Sequence, residues 1–469
     1  MTPSETNASD LERFRSEGDL NVSPHRRAWA QEHLGIQTQT LLEADAKYFL
    51  HQSLSTPCLN ALATAQGAWI QDVEGRRYLD FHGNNVHQVG FAHPRVMAAI
   101  KRQLDELSFC TRRYTCSPAI ELARRLVELA PGDLNRVLFA PGGTSAIGMA
   151  LKLARVATGR FKFVSMWDSF HGASLDAISV GGEALFRQNI GPLLPGCEHV
   201  PPPEPAQCPF RCGTECSLAC ADYIEYVLEK EGDVAAVIGE TIRCTPFVPP
   251  PEYWKRVRAA CDKHGALLIL DEIPIGLGRT GKMFACEHYD VVPDMLVLGK
   301  GLGGGVLPMA ALLAREHLNV AASTAIGHYT HEKNPVACAA GLATLDVIRD
   351  EKLVEHAAHL GDYALTRMRE MRSRHPLVGD VRGRGLLMGI ELAGGRRRDE
   401  NQASARQSPT ASDKAEQIMY AALGRGLNFK VTMSSILTLT PALTLTPAEM
   451  DLALNILDTC IGEVEQKGT

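Results

Sequence analysis

The stretch PDMLVLGK, residues 293–300, is an apolar run that ends in Lys300, and the glycine-rich loop GLGGG follows it at once. A second apolar run, ALLIL at residues 266–270, ends in the acids Asp271 and Glu272. Short runs this apolar are typical of strands that are buried on both faces of a parallel sheet. We therefore predict that an amine and a carboxylate leave neighbouring strand ends, where open α/β sheets bind their ligands.

Lys300 and Asp271 indicate a specific chemistry when they are taken as a pair. Alone, each residue is better explained as a surface lysine or a helix-capping aspartate. Together, a lysine amine can form a Schiff base with an aldehyde, and a buried acid can keep a pyridine nitrogen protonated. A pyridoxal 5'-phosphate (PLP) enzyme needs both groups, so we predict that Lys300 and Asp271 are catalytic and bind this cofactor.

The composition favours an enzyme that acts on small molecules. The 469 residues are enough for more than one domain, the net charge is −6, and no long block of lysine and arginine is present. Nucleic acid and membrane are therefore not expected as partners. The opening residues, MTPSETNASDLERFRSEGD, are polar and acidic, unlike a signal peptide, and no apolar run has the length of a transmembrane helix. We predict a cytoplasmic location.

Thirteen cysteines, an odd number without an export signal, also fit a reducing compartment. Four of them recur every fourth residue in an insertion: Cys208, Cys212, Cys216 and Cys220. Four thiolates can hold zinc or an iron–sulfur cluster, although zinc ligands are usually paired, with a longer gap between the pairs. The alternative is a set of reduced cysteines, or one adventitious disulfide, that packs the insertion. We expect no metal, with these four residues as the alternative metal site.

The pattern of elements predicts an α/β fold. Between residues 96 and 340, helical patterns alternate with short strand-like runs, which indicates a large domain with a mostly parallel sheet. Residues 51–95 and 341–469 are expected to form a smaller α+β domain from both chain ends, and residues 1–50 an arm that lies on a partner. The strand-like runs of the large domain are residues 137–140, 161–165, 234–238, 267–270 and 295–298.

A candidate phosphate site follows the first of these runs. The strand leads into PGGTS, residues 141–145, and then into a helical pattern. Glycines allow close approach to the backbone, and the free N–H groups at a helix start bind anions. We predict that Gly143 and Thr144 hold a phosphate group. The next strand leads to Phe170, an aromatic residue that can stack on a flat cofactor ring.

Together these motifs resemble the class III aminotransferases of the fold-type-I PLP superfamily, over residues 65 to 445 or so. The motifs that carry the resemblance are YLDF (78–81), GGTSA and ALKLAR (142–155), FHG (170–172), LDE and GLGRTG (270–281), GKGLGGG (299–305), HYTHEKNP (328–335) and RGRGLLMGIEL (382–392). By this similarity, Lys300 is the Schiff-base lysine and Asp271 pairs with the pyridine nitrogen. The resemblance also implies that Gly143 and Thr144 bind phosphate and that Phe170 stacks on the ring. Thr330 resembles the threonine that reaches the phosphate from the other subunit, which implies a homodimer with shared active sites.

The chain departs from this family pattern on the substrate side. Members commonly read DEVQ, whereas residues 271–274 read DEIP, so the glutamine that donates to the cofactor phenolate is missing. Thr438 stands where amino-acid aminotransferases often place an arginine that clamps a carboxylate. Glu240 resembles the glutamate that gates this arginine in some members, and we expect its partner to be absent. A reaction that needs one amine substrate, a lyase reaction, is therefore favoured over exchange with 2-oxoglutarate.

The substrate is expected to be a small, polar, anionic amine. Arg112 and Arg113 are the main candidate cations for its anionic group, and Lys333 and Lys430 are weaker candidates; each is equally well explained as solvated surface. Segments such as FHGNNVHQVG, CTRRYT and SMWDSFHGASLDAISVGGEALFR are similar to those of bacterial lyases of phosphonate breakdown. This similarity implies β-elimination of the hydroxyl group of a hydroxylated aminophosphonate, with release of phosphonoacetaldehyde and ammonia.

Three other functions remain open at this point. An ω-amine transaminase of the 2-aminoethylphosphonate type would form alanine from pyruvate. A phospholyase on an amine like ethanolamine phosphate would release inorganic phosphate. A partner or regulatory module that has lost chemistry is disfavoured because Lys300 and Asp271 are both present.

Overall fold

A computed structural model describes residues 23–52, 58–204, 208–212, 216–394 and 409–467. The chain divides into two compact units. The central unit runs from Asn84 to His359, and the second unit consists of the chain up to Gly83 together with the chain from Leu360 onward. The central unit is longer at both ends than the predicted range 96–340. Residues 1–22 of the predicted arm lie outside the described residues.

The described residues form fifteen strands and thirteen α-helices. The strands are β1 (Leu62–Gln66), β2 (Trp69–Asp72), β3 (Arg77–Asp80), β4 (Leu134–Ala140), β5 (Lys162–Met166), β6 (Cys197–Val200), β7 (Val234–Glu240), β8 (Leu267–Asp271), β9 (Met295–Leu298), β10 (Ala310–Arg315), β11 (Val378–Arg384), β12 (Leu387–Leu392), β13 (Leu427–Asn428), β14 (Lys430–Thr432) and β15 (Ile436–Leu439). The helices are α1 (Pro24–His33), α2 (Ile36–Tyr48), α3 (Pro94–Glu106), α4 (Ser117–Leu129), α5 (Gly143–Thr158), α6 (Leu175–Val180), α7 (Ala184–Arg187), α8 (Ala219–Glu231), α9 (Tyr253–His264), α10 (Pro335–Asp350), α11 (Leu353–Arg374), α12 (Pro409–Gly424) and α13 (Pro447–Lys467).

The central unit is built on a seven-stranded sheet with the order β4-β10-β9-β8-β7-β5-β6. Strand β10 is antiparallel to both of its neighbours, and the five strands from β9 to β6 are parallel to one another. The predicted mostly parallel sheet is therefore confirmed. All residues of β9 are buried, as are nearly all of β8, because helices cover both faces of such a sheet.

Helix α5 forms the centre of the core on one face of this sheet. Its alanine, leucine, isoleucine and methionine side chains pack against apolar residues of β4, β7, β8, β9 and β10. The helix begins directly after the glycine pair that follows β4 and ends at Gly159, which takes the left-handed conformation with φ of 68°. The start of α5 is thereby fixed at the edge of the sheet where β4 ends.

The second unit contains two four-stranded sheets. One has the order β1-β2-β3-β13, and its strands β2 and β3 pair as an antiparallel hairpin. The other, β11-β12-β15-β14, is antiparallel throughout. This unit carries α1, α2, α12 and α13, so the predicted α+β domain formed by both chain ends is confirmed. Within the described part of the chain, no helix has both the length and the apolar character needed to cross a membrane.

Candidate functional site

The parallel strands bring the predicted site residues to one edge of the central sheet. Glu240 at the end of β7 lies in register with Asp271 at the end of β8, and Asp271 lies in register with Val297 of β9. Lys300 follows β9 two residues after the strand ends. Since the carboxyl ends of parallel strands share an edge, the structure places these groups where ligands of α/β sheets bind.

Asp271 is held by a buried histidine. Its side chain is 2% exposed, and its Oδ2 lies 2.8 Å from Nδ1 of His171, whose side chain is fully buried. The other oxygen, Oδ1, accepts the backbone N–H of Ile273 at 3.0 Å. His171 Nε2 is buried without a hydrogen-bond partner among the described residues. His171 directly follows Phe170 in the FHG motif, and this position is the signal in the sequence that could have identified it.

The adjacent acid, Glu272, is a structural anchor. Its two oxygens accept the backbone N–H groups of Ala285 at 2.6 Å and Cys286 at 2.7 Å, and the hydroxyl of Thr241 at 2.9 Å. Burial raises the pKa of Glu272 to about 7, against the effect of these hydrogen bonds. The end of β8 is thereby joined to the segment after β7 and to the turn at residues 285–288.

Lys300 begins a short 3₁₀ turn, Lys300–Gly303, and takes the left-handed conformation with φ of 45°. The next residue, Gly301, packs directly on the buried side chain of Gln88, so that a Cβ at position 301 would overlap Gln88 Oε1. Gln88 Nε2 donates to the backbone oxygen of Gly276 at 2.8 Å. The turn that carries the lysine is therefore held from outside by a side chain that the sequence analysis did not single out.

The start of α5 is open to an anion. Its N-cap, Gly142, makes no side-chain cap, and a Cβ built on Gly142 meets no atom within 4 Å. The first N–H groups of the helix thus lack a capping side chain. The Thr144 hydroxyl lies 2.8 Å from Ser174 Oγ and accepts the Ser174 N–H at 3.2 Å. Gly172, with φ of 131°, lies so close to Thr144 that a Cβ there would overlap the threonine side chain.

Phe170 contacts both helix α7 and the end of strand β7. Its ring packs against Phe186 with centroids 4.4 Å apart, and its backbone N–H donates to Glu240 Oε1 at 3.4 Å. These groups fit the expected cofactor. The open helix start at Gly142 suits a phosphate, and Lys300 suits an aldehyde. The buried Asp271 carboxylate, paired with His171, suits a pyridinium N–H.

Glu240 pairs with an arginine other than the clamp arginine, whose position is occupied by Thr438. The partner is Arg243, three residues along the chain, whose Nε lies 3.6 Å from Glu240 Oε2. Arg243 Nη2 also lies 3.6 Å from Glu183 Oε2, and all three side chains are at most 10% exposed. Burial raises the pKa of Glu240. The i,i+3 spacing of Glu240 and Arg243 is the signal in the sequence that could have identified this pair.

The cavity beside this ion pair is small. It has a volume of about 30 Å³ and is lined by Glu240, Arg243, Trp167 and Glu204, among other residues. A space of this size accommodates one water molecule but not a phosphonate group. In this conformation Arg243 is a charge partner of Glu240 rather than an open site for an anion.

The other predicted substrate and interface residues lie on the surface of the single chain. Arg112 Nε lies 2.7 Å from Glu332 Oε1, and both residues line a cavity of about 350 Å³. Arg113 is exposed. Thr330 is also exposed, in the segment that leads to α10. The structure thus pairs Arg112 with an acid and leaves Arg113 and Thr330 facing outward.

Thr438 is a neutral, fully buried residue of the second unit. It lies on β15, and its hydroxyl is 2.6 Å from that of Thr432 on β14. Pro274, at the position of the missing glutamine, and the preceding Ile273 are buried in the central unit. Ile273 lies against Gly143 at the start of α5, so an apolar contact stands beside the predicted phosphate site.

The cysteine insertion does not form a metal centre in the part of the chain that the structure describes, where no group of three or more His, Cys, Asp or Glu is arranged to hold a metal ion. All thirteen cysteines are free thiols. Cys208 and Cys212 are nevertheless close, with their sulfur atoms 3.5 Å apart. Cys216 is half-buried and Cys220 is buried.

Comparisons with known proteins agree over most of the chain. Residues 51–461 match the aminotransferase class-III family. The chain is 46% identical over 467 residues to (R)-1-hydroxy-2-aminoethylphosphonate ammonia-lyase of Vibrio splendidus (strain 12B01), with 96% of each chain covered. It is 33% identical to the leucine/methionine racemase of Thermococcus litoralis, over 92% of this chain and 97% of that protein. Among solved structures, the PLP-bound form of an amine transaminase from an uncultivated Pseudomonas species has a TM-score of 0.79 and 30% identity, over 89% of this chain and 98% of that one.

Proposed function

The chain belongs to the aminotransferase class-III family, and we propose that it is a PLP-dependent ammonia-lyase that converts (R)-1-hydroxy-2-aminoethylphosphonate into phosphonoacetaldehyde and ammonia. The predicted family, fold class and PLP cofactor are confirmed. The observation that carries the proposal is the 46% identity to the Vibrio splendidus ammonia-lyase, because it extends over 96% of both chains.

The site residues have distinct proposed tasks. When bound, PLP supplies an aldehyde for the substrate amine and a protonated ring that accepts electrons. Lys300 Nζ binds the cofactor, removes a proton from the substrate carbon that bears the amine, and carries that proton within the site. Asp271 holds a proton on the ring nitrogen, and His171 Nδ1 donates to Asp271 Oδ2 at 2.8 Å and so orients the carboxylate.

The start of α5 is proposed to bind the cofactor phosphate through its free N–H groups, with Gly143 and Thr144 as the nearest residues. Because Thr144 is already bonded to Ser174, its hydroxyl is oriented before any ligand arrives. The Phe170 ring packs against Phe186, and we propose that it also stacks on the cofactor. These contacts bind or orient the cofactor, and none of them transfers a proton.

A lyase reaction suits the chemistry of position 438. A keto-acid acceptor needs a cation that forms two parallel hydrogen bonds with its carboxylate, and arginine provides that geometry. Thr438 is neutral and its hydroxyl is engaged by Thr432, so it provides no such group. Loss of the substrate hydroxyl yields an enamine, which water converts to the aldehyde and ammonia without an amino acceptor.

We further propose a homodimer in the cytoplasm, with shared active sites. Thr330 is exposed in the single chain, as a residue that serves the partner's site would be. Arg112 and Arg113 are the proposed contacts of the phosphonate group, and Arg112 would exchange Glu332 for the substrate. Thirteen free thiols suit a reducing compartment.

One assay tests the reaction. Purified holoenzyme with (R)-1-hydroxy-2-aminoethylphosphonate and no keto acid is expected to release ammonia and phosphonoacetaldehyde in equal amounts. The Lys300→Ala variant is the control; it is expected to lose this activity and the lysine adduct that borohydride traps. A strict requirement for pyruvate, with alanine formed, would instead identify a transaminase, and release of inorganic phosphate would identify a phospholyase.

A further inference from the structure

The insertion after β6 contains two cysteines whose sulfur atoms are in contact. Cys208 Sγ donates to Cys212 Sγ at a sulfur–sulfur distance of 3.5 Å, although no disulfide is formed. The proposed lyase reaction uses neither residue. The pair also lies outside any metal cluster in the described ranges of the chain.

The two sulfur atoms have different environments. Cys212 Sγ also lies 3.2 Å from Ser217 Oγ, so this sulfur can accept from a hydroxyl and from a thiol. The hydrogen bond from Ser217 lowers the pKa of Cys212 to about 7. Burial raises the pKa of Cys208. Two sulfur atoms are thus in contact, and only Cys212 is also bonded to a hydroxyl, which is the arrangement of a peroxide-sensitive cysteine with its resolving partner.

We propose that Cys208 and Cys212 are a redox pair that hydrogen peroxide oxidises to an intramolecular disulfide. The Cys212 thiolate attacks one peroxide oxygen, the O–O bond breaks, and the departing hydroxide is protonated to water. Cys208 then attacks the sulfur of the Cys212 sulfenic acid, the S–S bond forms, and the S–O bond breaks with release of a second water. In total, two thiols lose two electrons and two protons to one peroxide molecule.

The environments of other cysteines make oxidation by peroxide selective for this pair. Burial raises the pKa of Cys220, Cys261 and Cys338 to about 12, so these thiols hold their protons near neutral pH. Cys212 combines a lowered pKa with a neighbouring sulfur at contact distance. Oxidation is therefore expected first at Cys212, with Cys208 as the group that completes the disulfide.

The sequence offers a direct test because trypsin cleaves after Arg211, between the two cysteines. Holoenzyme is treated with a small excess of hydrogen peroxide, its remaining thiols are alkylated, and it is digested without reduction. We expect the peptide 188–211 to be joined to the peptide 212–230, at their summed mass less two hydrogens. Fragmentation should assign the bond to Cys208 and Cys212, and a reductant should separate the peptides.

Three variants provide the controls. Cys208→Ser and Cys212→Ser are expected to abolish the cross-linked peptide, whereas Cys216→Ser, in the same segment, should retain it. Retention of PLP absorbance shows that each variant is folded. A cross-link that persists in Cys208→Ser or Cys212→Ser would overturn the proposal. Oxidation of Cys212 to sulfinic or sulfonic acid without a cross-link, or stoichiometric zinc that protects the four thiols, would overturn it too.

Discussion

One hydrogen bond fixes the acid at the end of β8. His171 and Asp271 are both buried, so neither can exchange this bond for one to water. A hydrogen bond to a charged group contributes about 1.5–3 kcal/mol, and here it holds the Asp271 carboxylate in one orientation. The influence of His171 on the reaction therefore passes through the orientation of Asp271.

We predict that His171→Phe lowers kcat/KM by about 10- to 100-fold, since this is the rate equivalent of losing such a bond. It should also change the pH at which the visible absorption of the holoenzyme titrates. His375→Phe is the matched control: it removes a histidine–carboxylate contact of the same 2.8 Å length, to Glu465, in the second unit. Equal losses of kcat/KM in the two variants would contradict the assignment of His171 to the site.

The positive charge of Arg243 offsets the negative charges of two buried carboxylates, those of Glu240 and Glu183. Removal of one partner of a buried ion pair costs about 3–5 kcal/mol, because the remaining charge is left uncompensated. We predict that Arg243→Met lowers the thermal unfolding temperature of the holoenzyme and that the loss is larger at about pH 8 than at about pH 5. Burial already raises the pKa of Glu240 above its ordinary value of 4.5, and without Arg243 it would rise further.

The sign of this pH dependence follows from proton linkage. A carboxyl group whose pKa is higher in the folded than in the unfolded protein binds more protons when folded, so stability falls as pH rises between the two pKa values. The double variant Arg243→Met with Glu240→Gln should recover part of the loss at the higher pH. A pH-independent loss, or no recovery in the double variant, would show that the charges of this pair do not matter for stability.

At the scale of elements, the start of α5 packs against the loop that contains the FHG segment, residues 170–172. The absence of a Cβ at Gly172 allows the loop to pass over Thr144, and the loop then provides Ser174 as the partner of that threonine. A change at Gly172 should therefore weaken phosphate binding although Gly172 itself carries no polar group.

We predict that Gly172→Ala raises the dissociation constant of PLP at least about tenfold, equivalent to about 1.4 kcal/mol. Gly159→Ala is the control at the other end of α5. Gly159 also has a positive φ, 68°, but a Cβ there meets no atom within 4 Å. This variant should lose about 1 kcal/mol of stability from backbone strain and bind PLP normally. Fluorescence titration of the apoenzymes measures both constants; unchanged PLP binding in Gly172→Ala would contradict the prediction.

The elements that sequence analysis missed share a physical reason. The runs that became β5, β7, β8 and β9 are rich in β-branched and other apolar residues and are bounded by turn residues, so their pattern identifies them. Strand β10, AALLAR, consists largely of strong helix formers, and only the pairing with β4 and β9 makes it a strand. Strand β6, CEHV, is a short edge strand with two polar residues. Both runs are strands because they pair with neighbouring strands of the sheet.

At the scale of the whole molecule, the chain motifs were predictable and the long-range partners were not. Lys300, Asp271 and the glycine pair stand at strand ends, which a linear pattern identifies. The contacts from His171 to Asp271 and from Gln88 to Gly276 join segments 100 and 188 residues apart, and no local pattern encodes them. The reacting groups were therefore easier to predict from the sequence than the residues that position them.

The proposed shared sites lead to a prediction for mixed dimers. One subunit carries Lys300→Ala and the other Thr330→Arg, with different affinity tags so that hybrids can be purified. If Thr330 serves the partner's site, one of the two sites retains both native residues, and the hybrid should have about half of the native activity. A hybrid of Lys300→Ala with Lys300→Arg is the control and should be inactive. Inactivity of the first hybrid, or full activity of the Thr330→Arg homodimer, would contradict shared sites.

The anchoring of Glu272 has a consequence for how this scaffold can diversify. Its carboxylate is bonded to the backbone N–H groups of Ala285 and Cys286, which every amino acid except proline possesses. Mutations at positions 285 and 286 can therefore accumulate without releasing the end of β8. The position of Asp271, the residue before Glu272, is therefore independent of the identity of these two side chains.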